Sequence, residues 1–322
     1  MRSPIGIGSY LSVARRAILR TAPRAELKAQ SMPMTDPISV VVPTRDRQGS
    51  LARCLASLAM QAEIALDVVV VDDGSRDRGA VRDAAAAFAG TRVVRGAGRG
   101  PAAARNLGVR AAEAELVCFI DDDCVATEGW AAALAGAVAR ARDAAGEGVA
   151  AGTTLAPPRA TTPVTASQAI VEYLTSASLD QAGATVGFAP SCNLAATREL
   201  LRQLPFDESY PSAAGEDRDW CARVSERGVE IAWEPDAVVV HHQQLEGARG
   251  FLRQQYRYGR GAARFRRGEA DRRLAGTGFY AGLVRRGFEA GPAVGGLVVA
   301  SQVAIAAGVV AERFTGLGEK GG

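Results

Sequence analysis

Leu116-Val-Cys-Phe-Ile120 is an apolar run that leads directly into three carboxylates, Asp121-Asp-Asp123. Its length and composition predict a buried β-strand, because strands covered on both faces are almost continuously hydrophobic. Three more runs of this kind precede it, at Ile38–Val42, Asp67–Val71 and Thr91–Arg95. Segments with helical features alternate with these runs, at 50–61, 79–89, 101–112 and 128–142.

This alternation predicts an α/β fold with a mostly parallel central sheet and helices on both faces. Sheets of this kind bind ligands at the carboxyl ends of their strands, so polar residues directly after a strand are the candidates for a site. The pattern is less regular after residue 149. There we predict a loop at 153–165, strands at 187–191, 230–233 and 237–240, and helices at 216–227 and 247–266.

The composition is that of an ordinary globular protein: of 322 residues, 48% are hydrophobic and 23% are charged. A net charge of +3 is too small to indicate a nucleic-acid partner. The five cysteines are scattered and form no CxxC pair, which favours a reducing, cytoplasmic compartment over a disulfide framework.

Three parts follow from these patterns: a basic and flexible N-terminal extension at 1–36, the α/β domain at 37–245, and a helical C-terminal region at 246–322. Within the extension, Ser9–Leu27 has the spacing of a basic amphipathic helix, but we favour a disordered segment. The stretch 290–311 has no charged residue and is long enough to cross a bilayer. Arginines precede it, as on a cytoplasmic side, at Arg272, Arg273, Arg285 and Arg286.

Two interpretations of 290–311 are open. One is a membrane-contacting helix, and the other is a buried helix that packs on the domain. Its many Ala and Gly residues make it only marginally hydrophobic, so composition does not choose between them.

The strongest chemical signal is the triplet Asp121, Asp122 and Asp123 at the end of its strand. Neighbouring carboxylates repel one another unless a cation is present, and their hard oxygens suit Mg²⁺ or Mn²⁺. A metal at this edge would also bind a diphosphate. A solvated acidic turn would explain the same residues, so the triplet alone does not decide.

Other candidates also lie at ends of predicted strands or starts of predicted helices. Asp72 and Asp73 suit hydrogen-bond donors of a nucleoside, although Asp-Gly is also a common turn pair. The loop Pro43-Thr44-Arg45 could meet the same nucleotide. The helix that begins at Pro101 presents Arg105 and Asn106 near the same cleft.

Glu216 and Asp217 stand at a helix start, where the helix dipole favours acidic residues. The alternative is that one of them is a general base for an acceptor hydroxyl. His241, one of a histidine pair after the last predicted strand, is a candidate metal or phosphate ligand.

Taken together, these motifs resemble the family 2 glycosyltransferases, whose catalytic domain has the GT-A fold. The resemblance runs from about Ile38 to His242, in the segments VVPTR, VVDDGS, AAARNLG, FIDDD, NLA, GED and VVH. It implies a nucleotide-diphospho-sugar donor, a divalent metal and an inverting displacement.

The resemblance also implies residue roles. The metal would lie on Asp121 and Asp123, the outer residues of the family's DXD motif, with Asp122 in the middle and His241 assisting. Asp72 and Asp73 would touch the base of the nucleotide. The catalytic base would be Asp217, with Glu216 as reserve.

Several alternatives stay open. Gln254-Gln-Tyr-Arg-Tyr258 is similar to a signature of processive synthases, but the set of strongly apolar helices that a polymer channel requires does not accompany it. A nucleotidyltransferase or a dehydrogenase would want glycines after the first strand, where Pro43-Thr-Arg-Asp46 stands. A catalytically inactive nucleotide-sugar-binding or scaffold protein has the same fold. The acceptor is unknown; the basic, apolar C-terminal region favours a lipid-linked or cell-envelope glycan at the inner face of the cytoplasmic membrane.

Overall fold

A computed structural model describes residues 36–210, 214–266 and 275–318 of the chain. The predicted N-terminal extension, apart from Asp36, lies outside the described residues. Within these ranges the strands are β1 (Ile38–Thr44), β2 (Leu66–Asp72), β3 (Thr91–Arg95), β4 (Leu116–Phe119), β5 (Cys124–Ala126), β6 (Val149–Leu155), β7 (Leu194–Thr197) and β8 (Ala232–His241).

The helices of the described residues cover the sheet and form the C-terminal region. They are α1 (Gln48–Leu58), α2 (Arg78–Ala86), α3 (Pro101–Ala111), α4 (Trp130–Ala145), α5 (Thr162–Ser176), α6 (Arg198–Gln203), α7 (Glu216–Glu226), α8 (Gly247–Phe265), α9 (Thr277–Glu289) and α10 (Pro292–Gly318).

The eight described strands form one sheet in the order β3-β2-β1-β4-β7-β6-β8-β5. The first four are parallel neighbours, as the alternation predicts. The sheet as a whole is mixed, because β7 is antiparallel to β4 and β6, and β5 is antiparallel to β8. The α/β architecture with helices on both faces is therefore confirmed, with a larger antiparallel part than predicted.

Alternation along β1 divides the core between the two faces of the sheet. Val40 and Val42 pack on one face against α1 and α4, whereas Val41 packs on the other against α3. Side chains of a strand point to opposite faces in turn, so a strand buried on both faces is apolar along most of its length. Gly108 of α3 lies so close to Val41 that a Cβ there would overlap its side chain.

Four predicted elements of the second half differ from the structure in their bounds or in their type. The stretch 153–165 is not one loop, since its first residues complete β6 and α5 begins at Thr162. Residues 187–191 form no regular strand and end at a 3₁₀ turn, Ser191–Asn193. The two strands predicted at 230–233 and 237–240 are one strand, β8, whose register on β6 shifts between Gly152 and Thr153.

The C-terminal helices pack on one another and on α5. Helices α8 and α10 cross in close contact, because Gly259 faces the backbone of Ile305 and Gly308 faces that of Tyr256. Among the described residues, the segment Pro292–Phe314 is long and apolar enough to cross a membrane. Its most apolar 18 residues have a mean hydropathy of 2.1, and 28% of them are buried within the protein.

Candidate active site

The carboxyl ends of β1 and β4 bring the acidic triplet against the first loop. Thr44 ends β1, and its hydroxyl donates to Asp122 at 2.7 Å. The antiparallel pairing of β5 with β8 places Cys124 opposite His241. This register brings His241 beside Asp123, the residue before Cys124, although the two are far apart in sequence.

Asp123 is the most heavily contacted residue of the triplet. His241 Nε2 lies 3.1 Å from one of its oxygens, and Arg47 Nη1 lies 3.1 Å from the other. Burial opposes ionisation of Asp123, but the hydrogen bond and charge of His241 outweigh it and lower the pKa of the carboxyl. For His241, burial acts to lower the pKa, and the contact with Asp123 raises it to about 9. The pair is therefore ionic in the absence of a metal.

Asp122 is buried and held from two sides, by Thr44 and by Arg47 at 3.1 Å. Burial raises its pKa to about 6, although the charge of Arg47 acts in the opposite direction. Both of its carboxylate oxygens thus accept hydrogen bonds from side chains of the protein. These contacts connect Asp122 to the end of β1 and to the loop that follows it.

Arg105 of α3 links the triplet to the start of α7. Its guanidinium donates to Asp121 at 2.9 Å and to Glu216 at 3.0 Å, and the side chain is only 3% exposed. Glu216 also accepts the backbone N–H of Ala214 at 2.9 Å. Both oxygens of Glu216 are therefore hydrogen-bonded, which leaves its neighbour Asp217 as the freer of the two candidates for a base.

Asp217 is partly buried, and one of its oxygens accepts the N–H of Arg218 at 2.8 Å. Burial raises its pKa to about 7, and the charge of Glu216 acts in the same direction. The negative charge of Asp121 also raises the pKa of Asp217, so Asp217 interacts electrostatically with the triplet. A carboxylate with such a pKa can take up a proton at neutral pH.

Asp121, Asp123 and His241 fit a divalent metal. One ligand atom from each lies within 4.8 Å of the others. Carboxylate oxygens suit Mg²⁺ and Mn²⁺ alike, and the imidazole favours the transition metal of the two.

The two aspartates at the end of β2, Asp72 and Asp73, form hydrogen bonds with the chain around them. Asp72 accepts the N–H of Ser75 at 2.8 Å and pairs with Arg95, and these contacts outweigh burial and lower its pKa. Asp73 accepts the backbone N–H groups of Arg99 and Gly100, at 3.1 and 2.8 Å, just before α3 begins. Both carboxylates shape the loops at this strand end.

The remaining predicted residues line the same region without meeting the triplet. The side-chain amide of Asn106 makes two hydrogen bonds with the backbone of Phe206. Its nitrogen donates to the carbonyl oxygen at 2.8 Å, and its oxygen accepts the N–H at 2.9 Å. Pro43 is partly buried and Arg45 is exposed. An open cleft of about 260 Å³ lies beside the segment that follows Arg45, lined by Asp46, Arg47, Gln48, Gly49, Ser50, Arg53 and Gln244.

Arg47 is the site residue that the sequence did not reveal. It is half exposed and contacts both Asp122 and Asp123. The one signal in the sequence is a second arginine two residues after Arg45, in a loop that follows a strand.

Comparisons with known proteins agree with this geometry. The sequence profile of Glycosyl transferase family 2 matches residues 39–203, about half of the chain. Proteins named pre-mycofactocin glycosyltransferase, from two strains of Mycobacterium tuberculosis, are 31% identical over 257 residues. The match covers 76% of this chain and 51% of those relatives, so the chain spans about half their length.

The same fold is found in a solved structure, the mannosyltransferase PcManGT from Pyrobaculum calidifontis in complex with GDP-Man and Mn²⁺. The TM-score is 0.57 at 20% identity, and the match covers 96% of this chain and 86% of that one. The predicted GT-A-type α/β fold is thereby confirmed. With the family profile and the mycobacterial relatives, it follows that the chain belongs to glycosyltransferase family 2.

Proposed function

We propose that this protein transfers a sugar from a nucleotide-diphosphate donor to an acceptor hydroxyl, with metal dependence and inversion at the anomeric carbon. One observation carries the proposal: Arg105 contacts both Asp121 of the candidate metal site and Glu216 at the start of α7. The next residue of α7 is Asp217, the candidate base, whose pKa is about 7. Glycosyl transfer needs these two functions side by side, one for the leaving diphosphate and one for the attacking hydroxyl.

Asp121, Asp123 and His241 would hold Mg²⁺ or Mn²⁺, which neutralises charge on the diphosphate. Asp217 accepts the proton of the acceptor hydroxyl. The oxygen then forms a bond to C1 of the sugar while the bond from C1 to the diphosphate oxygen breaks on the opposite face. The electron pair of that bond leaves with the diphosphate, and Arg47 at the edge of the cleft lies where it can contact a phosphate oxygen.

On the donor side, Asp72, Asp73 and the loop Pro43-Thr44-Arg45 would surround the nucleoside. The two aspartates already accept hydrogen bonds from backbone N–H groups of their own loops. We therefore propose that they form a preformed surface for the base of the nucleotide. Asn106 would act by holding the loop at Phe206, and Asp122 by holding Thr44.

A donor screen tests the proposal. Purified protein is incubated with UDP-, GDP- and dTDP-sugars, with and without Mn²⁺, and released nucleoside diphosphate is measured. We expect release that requires metal and is lost in Asp123→Ala, but is retained in Glu113→Ala, an exposed acid away from the site. Metal-independent donor binding with no release from any donor would instead favour a catalytically inactive binding or scaffold protein.

We further propose that α10 contacts a membrane, with the protein at its cytoplasmic face and a lipid-linked or cell-envelope acceptor. The helix has an inverted pattern of exposure: Glu312 and Ser301 are buried, whereas Val303 and Phe314 are 70% and 71% exposed. Polar groups that turn inward and apolar groups that turn outward suit a lipid environment.

Vesicle co-sedimentation tests this contact. Val303→Glu should reduce binding to vesicles that contain anionic lipid, because it places a charge on the apolar face. Met60→Glu is the matched control. Met60 is equally exposed, at 71%, but it follows the end of α1 and is not part of α10. Equal binding of both variants would contradict the membrane proposal and leave the transferase proposal unaffected.

A further inference from the structure

Two buried thiols lie beside His241, which the function proposed above assigns to the carboxylate metal site. Cys124 opens β5, and Cys192 lies in the 3₁₀ turn that precedes β7. Their side chains are buried, and their sulfurs and a nitrogen of His241 all lie within 4.8 Å of one another. His241 is therefore shared between this cluster and the carboxylates Asp121 and Asp123.

The cluster has the donor set of a soft-metal site. Two sulfurs and one imidazole nitrogen are ligands that Zn²⁺ takes in proteins, with Zn–S bonds of about 2.3 Å and Zn–N bonds of about 2.0–2.1 Å. Ligands on one such ion lie roughly 3.5–4 Å apart, so small side-chain rotations would close the present spacing. The carboxylate site next to it has the opposite preference, for hard cations.

The surrounding structure holds these ligands in place. The β5–β8 pairing fixes Cys124 opposite His241. The turn that carries Cys192 is held through its neighbour Asn193, whose amide accepts from Trp130 at 2.8 Å and donates to the backbone of Thr153 and of Ala237, each at 2.9 Å. Ligands fixed by backbone pairing and by a buried amide need little reorganisation to bind an ion.

We propose that Cys124, Cys192 and His241 form a second metal site, for Zn²⁺ or another thiophilic divalent cation. A neutral imidazole offers one lone pair to a metal, so His241 can ligate an ion at only one of the two sites, and the sites compete for it. The protein would then bind its hard cation less tightly when the thiol site is occupied.

Spectroscopy of the Co²⁺-loaded protein tests the proposal without any activity measurement. The wild-type chain should show a thiolate-to-cobalt charge-transfer band at one equivalent. The band should be lost in Cys124→Ala and in Cys192→Ala, and kept in Cys118→Ala, a buried thiol of β4 outside the cluster. A band that survives in Cys192→Ala would overturn the assignment.

X-ray absorption of the Zn²⁺-loaded wild type gives an answer that does not depend on how the variants fold. The proposal expects two sulfur scatterers at about 2.3 Å from the metal. A shell of oxygen and nitrogen alone would place the ion on the carboxylates and refute the thiol site. Neither result bears on sugar transfer, so the failure of this proposal is distinguishable from failure of the transferase proposal.

Discussion

Arg105 and Glu216 form a buried ion pair, with Nη1 3.0 Å from Oε1 and both side chains only 3% exposed, although 111 residues separate them in the chain. The second terminal nitrogen of the same guanidinium binds Asp121. One side chain thus fixes the candidate metal loop relative to the helix that carries the candidate base.

Removing this link should affect stability and turnover together. Arg105→Ala leaves Glu216 buried and unpaired, so we expect a loss of roughly 3 kcal/mol in the free energy of unfolding. Donor turnover in the folded fraction should fall by about tenfold or more. Denaturant unfolding and nucleotide release measure the two effects.

The matched control is Arg140→Ala, which breaks a surface pair with Glu234 whose arginine is 57% exposed. Such pairs contribute about 0–1 kcal/mol. Equal stability of the two variants would mean that the Arg105 pair does not hold the site together.

Arg47 should compete with the metal. Its guanidinium neutralises Asp122 and Asp123 when no cation is bound, so Arg47→Ala should tighten Mn²⁺ binding about threefold in the absence of donor. Donor binding should weaken at the same time, because the proposed contact of Arg47 with a donor phosphate is lost. Calorimetric titration gives both constants.

Arg53→Ala controls for charge in the same cleft, since Arg53 bonds Ser50 and not the triplet. Its Mn²⁺ affinity should match that of the wild type. Weaker Mn²⁺ binding in Arg47→Ala would show that the arginine supports the metal site and does not compete for it.

The rate should depend on pH through Asp217. A general base acts in its ionised form, and burial raises the pKa of Asp217 to about 7. Turnover should therefore be highest above pH 7 and should fall about tenfold per unit well below it. The profile has to be recorded at saturating metal, because protonation of the neighbouring carboxylates would also lower metal occupancy. A rate that does not fall between pH 7 and about pH 6 would show that Asp217 is not the general base.

The C-terminal helices should depend on Glu312. This residue is 4% exposed and binds Arg260 at 2.7 Å and Arg264 at 2.8 Å across the contact of α8 with α10. Glu312→Gln should lower the free energy of unfolding by roughly 2 kcal/mol, because charge-assisted hydrogen bonds are lost in a buried setting. Glu289→Gln, at an exposed acid, should change it by less than about 1 kcal/mol. A thermal melt in which both variants behave alike would contradict the structural role of Glu312.

The first half of the fold could be predicted because β1, β2 and β4 have central segments that are buried on both faces and apolar. β7 could not, since Leu194-Ala-Ala-Thr197 is four residues long and rich in alanine. The threonines of β6 resembled a loop, although Thr153 and Thr154 are buried beside β8. Burial by a partner strand distant in the chain decides such segments, and local composition does not show it.

The site divides in the same way. The candidate carboxylates could be named because each follows a strand or begins a helix. The contacts of Arg47 and Asn106 could not, since they depend on how a loop turns and on residues about 75 and 100 positions away. Sequence position thus indicated candidate residues, and the packing around α1 and α3 determined what each of them touches.

Replacement of Asp217 tests the central claim most directly. Asp217→Asn keeps the size of the side chain and removes the base, so turnover should fall by about 10²-fold or more while the donor dissociation constant stays within about twofold of the wild type. Metal-dependent nucleotide release and calorimetric donor binding, measured on the same preparations, give the two numbers. A variant that binds donor and turns it over at the wild-type rate would contradict the account of Asp217 as the base.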